Sequence, residues 1–468
     1  MRAIVVAGAA SGVGKTTVTL GLMAALRRRG LAVQGFKVGP DFIDPAFHAL
    51  VTGRLSYTLD AWMCGRDAVR ATFARHTAGA DVAVIEGMMG CFDGIDGTSD
   101  DGSTAQIAKW LDAPVILIVD ARAAARSVAA VTLGFETFDP GLKLAGVVAN
   151  NAGNPTHARW VLDAIEARCR VIPLGALQRD AALTLPERHL GLVTAAEGSL
   201  TRERQSALAD AIERSMDVDA LLSRAPWVAG ECPPRTGGGH EPDRPHGARP
   251  APPASFTSAP RIGIARDRAF QFYYEENLAL LRAAGAELVE WSPETDLEVP
   301  AVDGLYFGGG YPELRARQLS ANLGVRRGVE KFVESGGAVY AECGGLMYLA
   351  ESLEDLDGTA HPMVGILPAT VRMRPRRLSL GYTTVTTTAP SLLGSPGAVA
   401  RGHEFHYSTL ERVPLSVPRV YRLTDPRGGE RVEGYQIGNA LLSYVHLHFA
   451  SNPSIAEAFV RACARCRA

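Results

Sequence analysis

The first half of the chain alternates short, near-continuous apolar runs with longer stretches of helical periodicity. MRAIVVAG (1–8), LAVQGFKV (31–38), ADVAVIEG (80–87), APVILIVD (113–120) and LKLAGVVAN (142–150) are apolar on both faces of a strand, as a parallel sheet covered by helices on each side requires. Between them lie helical patterns such as KTTVTLGLMAALRRRG, which closes on basic residues and a glycine. The pattern predicts an α/β, doubly wound domain over residues 1–223, ending in one helix near 201–223. Residues 224–260 are dominated by Pro, Gly and small polar residues, cannot bury a core, and are expected to be a linker. A new α/β pattern opens at RIGIARD, with strands expected at ELVEW, GLYFGG and GAVYAE. It then turns β-rich in LGYTTVTTT, RVYRLTD, VEGYQIG and ALLSYVHLHF, giving a second domain over 261–468. The two halves share no internal repeat, so they are different folds.

Chemistry enters first at GAASGVGKTT, Gly8 to Thr17, between a strand and a helix. In a phosphate loop, backbone N–H groups turn inward around the phosphates, a lysine reaches the β/γ oxygens and a hydroxyl holds Mg²⁺. Gly12, Gly14, Lys15, Thr16 and Thr17 fit these roles for ATP. The strict GxxxxGK spacing would need glycine at Ala9, so the loop is one residue longer, counted from Gly8. Asp41 in VGPDFIDP and Glu86 in VIEGMMGCFDG close apolar strands on the same sheet edge, where Mg²⁺ ligands belong alongside Thr16. Asp44 and Asp93 are expected to face substrate, and Asn150 to contact the adenine side of the nucleotide. A ParA/MinD-like partitioning ATPase would carry a signature lysine five residues before Lys15. That position is Ala10.

In the second half, Cys343 follows the strand AVYAE and precedes GGLMYL. A thiol on a tight turn at a helix N-terminus is expected to be exposed and to have a lowered pKa. LYFGGGYPE ends another strand, and the backbone N–H groups of Gly309 and Gly310 are expected to form an oxyanion hole, each donor of which is typically worth ~10²–10³ in rate. SYVHLHF supplies a base, but alternation along a strand does not separate His446 from His448. The segment RGHEFHYS, with His403, Glu404 and His406, is read as structural or glutamine-side, because three polar residues in four extended positions cannot all face one ion.

Composition narrows the partners. The 468 residues carry 48 Lys+Arg against 50 Asp+Glu, a net charge of −2; no basic field points to nucleic acid and no polybasic patch to lipid. No apolar run reaches the ~18 residues of a membrane helix. Seven scattered cysteines and an opening strand without a secretion signal fit a reducing cytoplasm. Cys463 and Cys466 form a lone CxxC, read as helix-surface cysteines rather than half a zinc site.

These motifs together, with KVGPDFIDPAFH, ARDRAFQFYYEENL and YVHLHFASNP, resemble the cobyrinic acid a,c-diamide synthase family of ATP-dependent amidotransferases across both domains. The resemblance implies a dethiobiotin-synthetase-like P-loop domain and a class I glutamine amidotransferase-like domain. It implies glutamine hydrolysis by Cys343 with His446, identified by laying YVHLHF over the family's YLHGLF-like ending. It also implies transfer of the ammonia to acyl phosphates on two corrin acetate groups. Other class I members have a Glu two residues after the histidine, where this chain has His448, so a Cys-His dyad is expected. Implied partners are a corrinoid, L-glutamine and ATP, with Mg²⁺ as cofactor; a homodimer is compatible with the sequence. The motifs do not separate a cobalt-bearing from a cobalt-free ring, and a nickel-containing sirohydrochlorin is the less favoured substrate.

Overall fold

The structure is a computed structural model that describes residues 1–184, 187–188, 191–192, 195–225, 258–376 and 379–466. The chain divides into two compact units, Met1–Gly239 and His240–Ala468. The expected linker falls largely outside the described residues, and its first residue, Arg224, closes a helix.

In the first unit, seven described strands form a parallel sheet: β1 (Arg2–Gly8), β2 (Val33–Val38), β3 (Tyr57–Leu59), β4 (Val82–Glu86), β5 (Val115–Asp120), β6 (Leu144–Ala152) and β7 (Pro173–Gln178). Their order across the sheet is β3-β2-β4-β1-β5-β6-β7. Alternation along β1 sends Ile4 and Val6 into the core on one face and Ala3, Val5 and Ala7 into the core on the other. That double burial is why the run lacks polar positions. Chain order reverses around β1, so the crevice at its carboxyl end is the place for a ligand in such a sheet. Helix α1 (Lys15–Arg28) starts there and ends on Arg27 and Arg28, cations suited to a helix C-terminus. The helix expected near 201–223 is two helices, Arg202–Ser215 and Val218–Arg224. They are separated where Met216 leaves the helix and forms a bridge to Gly175 on β7.

The second unit is built on a sheet of ten described strands: β8 (Arg261–Ala265), β9 (Glu287–Trp291), β10 (Gly304–Phe307), β11 (Ala338–Glu342), β12 (Ser379–Thr387), β13 (Val399–His406), β14 (Arg419–Thr424), β15 (Glu430–Ile437), β16 (Ala440–Ser443) and β17 (His446–Leu447). The order is β9-β8-β10-β11-β16-β15-β14-β12-β13-β17. The first five are parallel, and from β16 onward every pairing is antiparallel. A smaller sheet of strands 350–354, 360–362, 367–373 and 408–411 lies in the same unit. The CxxC reading is corrected in part: Cys463 is buried, its Sγ seated where a Cβ on Gly304 would fall, while Cys466 is exposed. The amphipathic helix Ser454–Arg465 turns one cysteine to the core and leaves the other at its end. Among the described residues no helix is long and apolar enough to cross a membrane.

Candidate active sites

At the end of β1 the chain turns through Gly12 (φ 74°) and Gly14 (φ 94°), both in the left-handed region that disfavours a Cβ. At Gly14 space alone would exclude one: a Cβ would fall 2.1 Å from Nδ2 of Asn150. Asn150, expected beside the adenine, is buried, and its Nδ2 donates to the carbonyl of Val13 at 2.8 Å, bracing the loop from behind. Lys15 donates through Nζ to the carbonyls of Ala10 (3.2 Å) and Met89 (2.5 Å), and burial, then Lys37, lowers its pKa. Thr16 and Thr17 follow in the first turn of α1. The Thr16 hydroxyl donates to Oε1 of Glu86 at 2.6 Å, so β1 and β4 bring together two of the three expected metal ligands.

Asp41 is otherwise engaged: its Oδ1 accepts from the N–H groups of Ile43 (2.8 Å) and Asp44 (3.1 Å) at the start of α2 (Ile43–Thr52). Asp44, expected to face substrate, is buried and ion-paired with Lys37 at 2.6 Å. Asp93 accepts from Gly90 N–H at 2.8 Å and shapes the turn that carries Met89 to Lys15. Among the described residues no group of three or more His, Cys, Asp and Glu side chains is gathered as for a metal ion. The Thr16 hydroxyl and Glu86 carboxylate nonetheless suit Mg²⁺, a hard cation that takes one or two carboxylates and keeps several waters.

Lys37 and His48 were not singled out by the sequence reading. Lys37 Nζ lies 3.1 Å from Glu86 Oε1, and His48 Nε2 2.8 Å from Oε2, with His48 Nδ1 against Ser56. Burial works against an ionised Glu86, but Lys37, His48 and Thr16 outweigh it and hold its pKa well below the carboxylate range. Lys37 is in turn held above its ordinary value, since Asp44, Glu86 and Asp41 overcome the effect of burial. A lysine interrupting the apolar strand LAVQGFKV was the available signal. Lys37→Met strands the buried Asp44 and Glu86 carboxylates, and the first unit is expected to lose ~3–5 kcal/mol of stability in a urea titration.

In the second unit β11 ends at Glu342 and a six-residue helix, α3 (Gly344–Leu349), begins at once. Cys343 bridges them at φ 46° and ψ −101°, a conformation costly for any side chain bearing a Cβ. Its N–H donates to Ser443 of β16 at 2.8 Å. Gly344 packs against the Gly309–Gly310 turn so closely that a Cβ would lie 3.0 Å from Gly310 N. The expected exposure and low pKa of Cys343 are both corrected. The residue is 4% exposed, and burial, reinforced by Glu313 and Glu404, pushes its pKa up despite the Gly344 amide. A six-residue helix offers too few aligned peptides to counter that. Of the expected oxyanion donors, Gly309 spends its N–H on the Phe272 carbonyl at 3.1 Å, whereas Gly310 adjoins Gly344.

His446 opens β17 opposite His403, the rings stacked at 5.1 Å. A Cβ on Gly309 would sit 2.3 Å from Cε1 of His446, so the glycine's absent side chain makes room for the imidazole. Burial, with His406, lowers the pKa of His446 to about 3, leaving the ring neutral. His448 lies just past the end of β17; its ring packs on Tyr274 at 4.5 Å. His403 pairs with the Tyr274 hydroxyl, Glu404 with Arg431, and His406 with the Ser408 carbonyl, so the three side chains go to different partners.

Residues 4–193 match the CobQ/CobB/MinD/ParA nucleotide binding domain, and 261–454 the CobB/CobQ-like glutamine amidotransferase domain. The chain is 47% identical to cobyrinate a,c-diamide synthase of Syntrophotalea carbinolica over 98% of both chains. It belongs to the cobyrinate a,c-diamide synthase family. Family members of the same name from Leptospira interrogans (42% identical, covering 99% of this chain and 98% of the relative) and a Synechococcus strain (43%, 98% of each) match equally end to end. The nucleotide-binding model also takes in the partitioning ATPases; the amidotransferase domain and full-length coverage by cobyrinate a,c-diamide synthases separate this chain from them.

Proposed function

We propose that this enzyme amidates the a and c acetate carboxylates of cobyrinate or its cobalt-free counterpart, with nitrogen from glutamine and energy from ATP, through acyl phosphates. The observation that carries the reading is the strained Cys343 turn, whose Gly344 packs against Gly309 and Gly310, with His446 against Gly309, in a chain that also holds a phosphate loop.

In the resting protein both partners are neutral: burial keeps the thiol protonated and the imidazole free of charge. As glutamine's amide carbon approaches, His446 takes the Sγ proton, the S–C bond forms, and the oxyanion is met by the amide of Gly310, with that of Gly344 at the thiol itself. The proton then passes to the departing ammonia, and water releases glutamate from the thioester. In the first unit the P-loop amides and Lys15 hold the β/γ-phosphates, while Glu86, kept ionised by Lys37 and His48, stands against the Thr16 hydroxyl. When bound, Mg²⁺ would be held by Thr16 and Glu86 and would offset charge on the transferred phosphoryl group. Asp41 is the third ligand only if it releases the start of α2. The acyl phosphate gives the carboxylate a leaving group, which ammonia displaces. A free thiol at Cys343 suits a reducing cytoplasm.

Mass spectrometry of the products from ATP, Mg²⁺, glutamine and either ring tests the assignment. A gain of two amides supports it, and an unchanged ring overturns it. Gly309→Ala forces a Cβ into His446 and is expected to lower glutamine-driven turnover by ~10²-fold, measured as glutamate release.

A further inference from the structure

The residue immediately before the nucleophile plays no part in the mechanism above. Glu342 ends β11 with its carboxylate buried among three donors. The Tyr340 hydroxyl (2.6 Å) and Leu447 N–H (2.9 Å) donate to Oε1, and the Tyr306 hydroxyl (2.8 Å) donates to Oε2. Oε2 also lies 4.0 Å from Nδ1 of His446, and the Leu447 bond fastens the two-residue strand that carries this histidine. His448, at the position where other class I members place their acid, packs on Tyr274 instead.

We propose that Glu342 is the acidic positioning residue of His446, completing the Cys343–His446 pair from the strand that carries the nucleophile. The proposal rests on the assignment of Cys343 and His446 given above. When the Sγ proton reaches His446 the ring becomes an imidazolium, and the carboxylate facing Nδ1 favours that charge; the proton leaves with ammonia, and Glu342 exchanges none. At 4.0 Å the contact is one of charge rather than a hydrogen bond, and in a dry interior such a contact is strong. The titratable groups around Glu342 are Tyr306, Tyr340, Tyr273, Tyr421, Cys343 and His446. Among them only His446 becomes a cation in the reaction. Burial pushes the Glu342 pKa up to about 7 against its three donors. The carboxylate is therefore lost as pH falls through about 7, and glutamine-driven turnover falls with it.

Glu342→Gln preserves the shape: the new carbonyl accepts from Tyr340 and Leu447, and the amide donates to the Tyr306 oxygen. The readout is the ratio of glutamine-driven to ammonium-driven amidation. The ratio is expected to fall by ~10²-fold or more through kcat rather than the KM for glutamine. The acid limb near pH 7 is expected to vanish, and Glu342→Asp to recover part of the loss. A ratio within about threefold of the parent enzyme, or an unchanged acid limb, overturns the proposal. If Glu342→Gln loses both activities, alkylation of Cys343 by iodoacetamide against pH decides: a shifted profile supports the proposal and a superimposable one overturns it. Cys343→Ser is run in parallel. Glutamine-driven activity in that variant defeats the underlying assignment, whereas its loss beside a fully active Glu342→Gln defeats the Glu342 proposal alone.

Discussion

Cys343→Ser is expected to abolish amidation from glutamine, by ~10³-fold or more, while amidation from an ammonium salt at alkaline pH persists. A serine hydroxyl fills the same strained turn and accepts the same packing, but its far higher pKa leaves His446 no easy proton to take. Ammonia supplied from solution needs neither group. The measurement is product formation with each nitrogen source, together with glutamate release. Loss of both activities, with the variant folded, would make the thiol a structural element. Persistence of glutamine use would remove it from the chemistry. Because the thiol is buried and protonated at rest, a thiol reagent at neutral pH is expected to label it slowly.

Lys15→Ala is expected to lower amidation from either nitrogen source by ~10³-fold or more, since the phosphoryl group loses the cation that meets its developing charge. Glutamate release in the absence of ATP is expected to survive, because it belongs to the other unit. The substitution also leaves the carbonyls of Ala10 and Met89 without a donor, costing about 1–3 kcal/mol for each that stays dry, so a urea titration accompanies the assay. Ammonium-driven synthesis at the parent rate would refute the acyl-phosphate route.

The parts of the fold legible in the sequence are those whose physics is local. β1, β4 and β5 are buried on both faces and read as unbroken apolar runs. β3 has three residues and β7 begins with proline and contains a glycine; both are edge strands, where burial on one side leaves a weak pattern. The phosphate loop was legible because glycine at Gly12 and Gly14 answers a conformational demand. The surroundings of each site were not. Burial of Cys343, reinforced by Glu313 and Glu404 from distant segments, reverses the pKa expected of a helix N-terminus. Gly309 reads from sequence as an amide donor, yet in the fold its N–H is taken by Phe272 and its missing Cβ is what His446 uses. Glu342 was hidden for the opposite reason. Strand alternation sets neighbouring residues on opposite faces, and only the arrival of β17 brings Glu342 to His446.

The sheet of the second unit has a temporal implication for a chain emerging from the ribosome. β11, which holds the sulfur, gains its neighbour β16 only after the intervening segments exist, and the bond from Leu447 to Glu342 spans 105 positions. Until those later segments arrive, an unfinished polypeptide holds the sulfur of Cys343 without the imidazole proposed to serve it, so on that reading glutamine is not spent before His446 has been made.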